Sequence, residues 1–538
     1  MTSMWWSRLF ASAALGSLAA CAGSAHHVAP PAPMGRPEPV AVAAPARPQT
    51  QVDPPPTQAA LADARHLLSR FAFGPRPGEV ERVARSGVER WLDEQLAGPP
   101  ESPLLEASLV PYRAAFVPPS ELVDDWLGDG WEHELRSVSE LRRETKPFFR
   151  DHLQRLATAE VVRDILSQRQ LEAVMTDFWA NHFNVYAAKG FVRLFHGDYL
   201  ERAIRPHALG KFSDLLLATA RHPAMLIYLD NAESRKARRG GSGRRSGLNE
   251  NYARELLELH TLGVDGGYTQ ADVQDVARVL TGWSIVRLER GRLGYQFRRY
   301  MHDRGEKTVL GHVFPAGENE AEGVRLLQLL ARHPSTARHL ARRLCSRFVM
   351  DAPPESCVDA AADAYTASDG DIKRVVHAIA THPSFWAEAA RGAKLKTPLE
   401  LLASAARAVG ARPDGSLSLA ETLEEMGAPL LQERVPTGYP DTEPEWASAG
   451  GMLARMSFAS QLAEGRARGL QLTWEDALPT DADPSQLVAK LAAALLGLPP
   501  ESRTVRLVLE EVSKLAAVEQ RRPVALALLI GSPEFQRQ

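Results

Sequence analysis

Residues 249–283 read NENYARELLELHTLGVDGGYTQADVQDVARVLTGW, and this stretch decides the fold class. Apolar residues recur at helical spacing on both sides of the glycines, which predicts two helices joined by a tight turn. Thr269 and Asp272 are spaced as the capping box of the second helix, and Gly263 suits the end of the first. The stretch therefore predicts a helical hairpin.

The same helical spacing runs through most of the chain, which has 538 residues, of which 44% are hydrophobic and 24% charged. Proline follows histidine in RHPAML, RHPSTA and THPSFW, which suits proline in the first turn of a helix. Only residues 294–314 favour β structure, as one small hairpin turning at residues 302–305. We predict a mainly α-helical, large, multi-helix single domain over residues 58–538.

The N-terminal residues predict export. After Arg8 comes LFASAALGSLAAC, an apolar run too short to span a bilayer and typical of a secretory signal peptide. Its end, Leu18 to Cys21, resembles the bacterial lipoprotein box, which predicts a signal peptide over residues 1–20 and lipidation of Cys21. The alternative is an ordinary signal peptide cut near the same place. By the lipoprotein sorting rule, Ala22 favours the outer membrane of a Gram-negative bacterium.

Residues 21–57 are rich in proline and alanine, and predict a disordered linker between the membrane and the domain. The net charge of −3 gives no reason to expect a nucleic-acid partner. The basic run at 234–247 predicts a mobile surface insertion, with polyanion binding as the alternative. Cys345 and Cys357 form either a disulfide or two free buried thiols.

Two histidines fall on apolar helix faces. His260 lies on the stripe of residues 249–262, and His182 lies on the same side as Phe178 in LEAVMTDFWANHF. Together with the predicted turn at His302 and Asp303, they can bind a divalent metal or act as acid and base. The alternative is that each is a core histidine held by hydrogen bonds.

Residues 265–272 match the second half of a calcium-binding EF-hand loop. The positions of the first two ligands hold Thr261 and Gly263, which removes two expected oxygen donors. Capping accounts for every residue of the turn, so the sequence favours caps over calcium.

The chain resembles the bacterial family domain of unknown function 1800. The resemblance rests on HLLSRFAFGPRPGEV (66–80), FWANHFNV (178–185), MLIYLDN (225–231), the stretch at 249–283, HDRGEK followed by VLG (302–311), KTPLELLASAARAVG (396–410) and GSPEFQ (531–536). Tyr439 stands where the family's Gly-Trp pair is expected, which puts the role of that aromatic in doubt. The resemblance implies an exported protein, and a sulfatase-like partner from the family domain of unknown function 1501.

Two functions follow from these residues. The first is an envelope enzyme in which His182, His260 and His302 are ligands or acid–base groups, Glu255 and Asp303 orient them or act as bases, and Arg254 binds an anionic group. The binding residues would be Asn249, Asn251, Trp179 and Trp283. The second is a non-enzymatic scaffold or binding partner, in which the same residues form a buried polar network.

Overall fold

The computed structural model describes residues 55–127, 146–236, 247–286, 293–472, 481 and 483–538. The predicted signal peptide, most of the predicted linker and most of the basic run at 234–247 lie outside these residues. The first helix within these residues begins at Gln58, where the Thr57 side chain accepts a hydrogen bond from the Ala60 amide. Residues 55–538 form one unit around a shared apolar core.

The described residues of the N-terminal half of this unit are mainly helical. In chain order they are α1 Gln58–Phe71, α2 Glu79–Ser86, α3 Val88–Ala97, α4 Pro103–Leu109, α5 Pro119–Leu127, α6 Lys146–Leu166, α7 Gln170–His182, α8 Val192–Asp198, α9 Phe212–Arg221, α10 Pro223–Tyr228, α11 Asn251–Glu255 and α12 Gln270–Val279. A π-helical turn, Leu256–Thr261, extends α11, and another, Tyr199–Ile204, extends α8.

The C-terminal half is also helical. Its helices are α13 Glu320–Ala331, α14 Pro334–Phe348, α15 Glu355–Ala367, α16 Ile372–Thr381, α17 Pro383–Trp386, α18 Pro398–Ala408, α19 Ser418–Glu425, α20 Glu443–Trp446, α21 Ala449–Ala463, α22 Pro484–Leu496, α23 Arg503–Ser513, α24 Val518–Gly531 and α25 Pro533–Gln536. A second apolar cluster lies between α21, α22, α23 and α24. The prediction of a mainly α-helical single domain is confirmed.

The His-Pro pairs mark helix starts, as predicted. The Nδ1 atoms of His222, His333 and His382 each accept a hydrogen bond from the backbone amide two residues further on, at 3.2 Å in every case. Proline occupies the first turn of each helix, where its missing N–H costs nothing. The capping box of α12 also forms, between Thr269 and Asp272.

The described strands form three two-stranded antiparallel pairs: β1 Trp283–Ile285 with β2 Tyr295–Phe297, β3 Lys307–Val309 with β4 His312–Phe314, and β5 Arg412–Pro413 with β6 Leu470–Gln471. The predicted single hairpin turning at residues 302–305 is therefore wrong. The tight turn lies instead at Leu310 and Gly311, whose φ angles of 50° and 77° suit a two-residue hairpin loop.

Cys345 and Cys357 are free thiols and are fully buried. Their Sγ atoms lie 2.8 Å apart, between helices α14 and α15. Among the described helices, none combines the length and the apolar character needed to cross a bilayer.

Candidate functional site

The motif FWANHFNV closes helix α7, and its two asparagines hold a distant segment. The Asn181 side chain donates to the carbonyl of Tyr439 at 2.9 Å and accepts from the amide of the same residue at 2.7 Å. The Asn184 amide donates to the carbonyls of Glu433 and Val435 at 3.1 and 2.8 Å. Residues 433–441, here called the wall segment, are thus tied to the end of α7 through backbone atoms.

Glycine is required within the wall segment at position 438. Gly438 has a φ of 75°, and a Cβ atom there would lie 2.4 Å from the carbonyl oxygen of Asn181. Tyr439 follows it, and its hydroxyl donates to the carbonyl of Pro429 at 2.7 Å. Tyr439 thus has a defined place at the position where the family's Gly-Trp pair was expected.

His182 uses both ring nitrogens to hold its neighbours. Its Nδ1 accepts a hydrogen bond from the guanidinium of Arg343 at 2.8 Å, and because a guanidinium cannot accept, Nδ1 carries no proton. The proton is therefore on Nε2, which donates to the carbonyl of His260 at 3.2 Å. A second nitrogen of Arg343 donates to Asp441 at 2.7 Å, so His182 and the wall segment share one arginine.

A third histidine, which the sequence reasoning missed, joins this cluster. His339 Nε2 donates to the carbonyl of Leu259 at 3.2 Å, and the His339 and His260 rings each lie 6.2 Å from the ring of His182. The last carbonyls of a helix lack partners within it. His182 and His339 supply those partners at the end of the π-helical turn.

Position 263 also requires glycine. Gly263 has a φ of 84°, and a Cβ atom there would lie 2.9 Å from Nδ1 of His339. Because Gly263 has no Cβ, the backbone that follows the π-helical turn can pack directly against the imidazole ring of His339.

All three histidines are neutral near pH 7. Burial, followed by the charge of Arg343, lowers the pKa of His260 to about 3 and of His339 to about 4. The same two causes place the pKa of His182 well below its usual value. His260 Nε2 is buried and has no hydrogen-bond partner among the described residues. The positive charge of the cluster is therefore carried by Arg343.

A cleft of about 490 Å³ opens beside Arg343. The lining residues come from the end of α7, the π-helical turn, α14 and the wall segment: His182, Leu259, His339, Arg343, Glu433, Val435, Thr437, Gly438, Tyr439, Pro440 and Asp441. The side chain of Arg343 is 19% exposed and that of Asp441 is 27% exposed. Both charges can therefore be reached from the cleft.

The cluster does not fit a metal ion as it is arranged. Within the part of the chain that the structure describes, no group of three His, Cys, Asp or Glu side chains is placed to hold a metal. His182 would have to give up Arg343 or the His260 carbonyl to offer a lone pair to an ion. Asp272, the acid that would close the calcium-type loop, has its oxygens engaged by Thr269 and the Leu310 amide.

His302 belongs to a different cluster. Its Nδ1 donates to the carbonyl of Thr281 at 2.8 Å, and its Nε2 lies 3.1 Å from a carboxylate oxygen of Glu322, without hydrogen-bond alignment. Lys307 donates to both oxygens of Glu322 at 2.9 Å. These three ionisable side chains are 2% exposed or less. None of the described contacts of His302 joins it to His182 or His260.

Asp303 and two aspartates of α12 form hydrogen bonds that join α12 to residues 303–310. Asp303 accepts two hydrogen bonds from Arg278, at 3.1 and 3.2 Å, and these bonds lower the pKa of its carboxyl. Asp275 and Asp272 accept from the amides of Thr308 and Leu310 at 2.7 and 2.6 Å. The β3–β4 hairpin is thus held on α12 by carboxylates.

The predicted residues of α11 contact backbone or surface groups. The Asn249 side chain, just before the helix, accepts from the amide of Asn251 at 2.9 Å, and the Asn251 side chain donates to the carbonyl of Leu229 at 3.4 Å. Arg254 donates to Gln270 at 2.9 Å. Glu255 is half-buried, and burial followed by the charge of Glu258 raises its pKa. None of these four residues lines the cleft.

Both predicted tryptophans are fully buried. Trp179 donates to the carbonyl of Ala208 at 3.0 Å, and its ring meets that of His182 edge-on at 5.4 Å. Trp283 packs against Gly323, where a Cβ atom would lie 2.3 Å from the indole. Trp179 therefore packs against the His182 ring of the histidine cluster, whereas Trp283 packs against Gly323 of α13.

We predict that Lys307→Met destabilises the protein by about 3–5 kcal/mol, because it leaves the buried Glu322 carboxylate without its main partner. Lys373→Met is the matched control, since Lys373 is exposed on α16. Urea unfolding followed by circular dichroism measures both. Equal unfolding free energies for the two variants would contradict the buried ion-pair account.

The comparisons with known proteins identify a family and no characterised relative. No curated protein and no solved structure matches the chain. The family model described as "Protein of unknown function (DUF1800)" matches residues 66–537. This match covers every element from α1 to α25 at least in part, and the chain therefore belongs to this family.

Proposed function

We propose that the protein is a non-catalytic binding protein of the cell envelope, and that its cleft takes up a ligand carrying a carboxylate or phosphate group. The observation that carries the proposal is the placement of Arg343. The guanidinium of Arg343 donates one hydrogen bond to His182 and another to Asp441, which holds it at the edge of the cleft.

The chemistry of the histidines supports binding over proton transfer. A general acid or base works best with a pKa near the working pH. The pKa values of His260 and His339 lie near 3 and 4, and that of His182 is also lowered. His182 has no free ring nitrogen, and His339 Nδ1 faces Gly263. None of the three is arranged to exchange a proton with a substrate at neutral pH.

Arg343 retains unused donors. A guanidinium has five N–H groups, and those of Arg343 make two side-chain hydrogen bonds. A planar oxyanion suits the guanidinium fork, which is the geometry of a bidentate pair. Asp441 competes for the same group, while Glu433 turns an oxygen towards the amides of Arg434 and Val435. An incoming anion would therefore displace Asp441 and shift the wall segment.

We predict opposite effects on anion affinity for the two charged residues of the cleft. Inorganic phosphate is titrated into the protein at constant ionic strength and followed by calorimetry. Asp441→Asn removes the competing carboxylate and should tighten phosphate binding roughly tenfold. Arg343→Lys keeps the charge but loses the fork, and should weaken it roughly tenfold. Arg325→Lys, on the half-exposed side chain that pairs with Glu318 at 2.7 Å, is the control and should change nothing.

Weaker phosphate binding by Asp441→Asn would contradict this proposal, because it would mean that the aspartate helps to hold the ligand. Equal binding by the Arg343→Lys and Arg325→Lys variants would contradict it as well, because the site would then lie elsewhere.

We further propose that the protein is lipid-anchored in the outer membrane through Cys21, which rests on the lipoprotein-like sequence Leu18 to Cys21. In fractionated cells, Cys21→Ser should move the protein from the outer-membrane to the soluble fraction. Ala22→Asp is the control, which should stay lipidated but shift to the inner membrane by the sorting rule. A Cys21→Ser protein that stays in the outer-membrane fraction would show that lipid is not the anchor.

The family resemblance also supports a partner among exported sulfatase-like proteins of the family domain of unknown function 1501. The two full-length proteins, expressed together, should co-elute on size-exclusion chromatography. Separate elution at micromolar concentration would count against the pairing.

A further inference from the structure

A second cavity lies on the other side of the contact between Asn181 and Tyr439. It has a volume of about 60 Å³ and is partly enclosed. Its lining includes Asp164 of α6, Asp177 of α7 and His196 of α8. Neither the cleft at Arg343 nor any residue of the proposed function accounts for these three side chains.

Three polar side chains of this cavity have groups without a partner among the described residues. Asp164 is 5% exposed and His196 is 3% exposed. The carboxylates of Asp164 and Asp177 make no hydrogen bond or ion pair with any residue that the structure describes. His196 Nδ1 is buried and is also without a hydrogen-bond partner in the described chain. Asp177 is half-buried. Buried polar groups of folded proteins are normally satisfied, so two of them at one cavity, with the Asp177 carboxylate beside them, indicate an occupant.

The nearby arginines do not fill this role, because other carboxylates already engage them. Glu160, which lines the same cavity, is bound by Arg163 at 2.6 Å and by Arg205 at 2.5 Å. Arg163 also pairs with Glu201 at 2.6 Å, and Arg205 pairs with Glu201 at 3.2 Å. The two aspartates therefore add uncompensated negative charge whenever they ionise.

Burial of these two carboxyls opposes their ionisation. Burial, followed by the charge of Asp177, raises the pKa of Asp164 well above its usual value. Burial also raises the pKa of Asp177 to about 7, and it lowers the pKa of His196 to about 3. A bound cation would reverse this penalty and let both carboxyls ionise at neutral pH.

We propose that the Asp164–Asp177–His196 cavity binds the ammonium group of a small primary amine. An ammonium group has three N–H donors, which match the oxygens of the two carboxylates that line the cavity. A volume of about 60 Å³ exceeds the ~10–15 Å³ that a single water molecule needs, and it leaves room for a methylammonium-sized head. No three metal-binding side chains in the described residues are arranged to hold a metal, which favours an organic cation over a metal.

The test is a titration of the full mature chain with methylammonium chloride, with tetramethylammonium chloride as the cation that has no N–H donor. Calorimetry at constant ionic strength gives the affinity, and the melting temperature gives an independent readout. Methylammonium should bind and raise the melting temperature, whereas tetramethylammonium should do neither. Asp164→Asn and Asp177→Asn should each weaken methylammonium binding at least tenfold, while Asp214→Asn, an exposed aspartate of α9, should not.

The pH dependence gives a second readout that needs no variant. Methylammonium binding should strengthen as the pH rises from 5 to 8, because the aspartates must lose their protons to hold the cation. The charged and titratable groups that act on them are Glu160, Arg163, Arg205, His196, Arg347, Glu400 and Asp441. Without amine, the raised pKa of Asp177 means that the folded state holds its proton more tightly than the unfolded chain does, so the contribution of Asp177 to stability is present at low pH and is lost as the pH rises through about 7.

Equal stabilisation by methylammonium and tetramethylammonium would overturn the proposal, because it would show a salt effect. Unchanged affinity in both asparagine variants would overturn it, as would affinity that is independent of pH. Tight binding of Mg²⁺ or Zn²⁺ that excludes methylammonium would also overturn it, in favour of a metal site.

Discussion

The arrangement of the histidine cluster depends on the guanidinium of Arg343, whose N–H groups need hydrogen-bond acceptors within the folded protein. Arg343 donates to His182 on one side and to Asp441 on the other. Because Arg343 takes the lone pair of His182 Nδ1, the opposite ring nitrogen must donate, and it pairs with the buried carbonyl of His260 at the end of the π-helical turn. One arginine thereby links α7, α14, the end of the π-helical turn and the wall segment, and it sets the shape of the cleft.

The motifs that carry the family resemblance hold parts of the fold together in this chain. In FWANHFNV, two asparagines hold the backbone of the wall segment, and the histidine between them holds Arg343. In HDRGEK, a buried lysine pairs with a glutamate of α13, and the aspartate pairs with Arg278. A buried ion pair contributes little net stability but is costly to break. Such networks specify one packing of many similar helices, which is consistent with a rigid binding scaffold.

The sequence predicted the helices, the capping box and the His-Pro helix starts, because these depend on local spacing and local hydrogen bonds. It also predicted that His182 and His260 face inwards, and the two rings do lie close together. It did not find His339 and Arg343. Their four-residue spacing places them on one face of α14, but a polar helix face usually indicates solvent, and only tertiary packing covers this one. The turn at residues 302–305 was mispredicted because His302 and Asp303 are held by Thr281 and Arg278, which are not neighbours in sequence.

The protonation of His182 tests the account most directly. With ¹⁵N-labelled histidine in the full chain, the ring nitrogens of His182 report the tautomer and any titration. The account predicts a neutral ring with the proton on Nε2, unchanged between pH 5 and 8. A ring that titrates in this range, or one that carries its proton on Nδ1, would contradict it. Such a ring could not accept a hydrogen bond from Arg343, and His182 would again be a candidate acid or base.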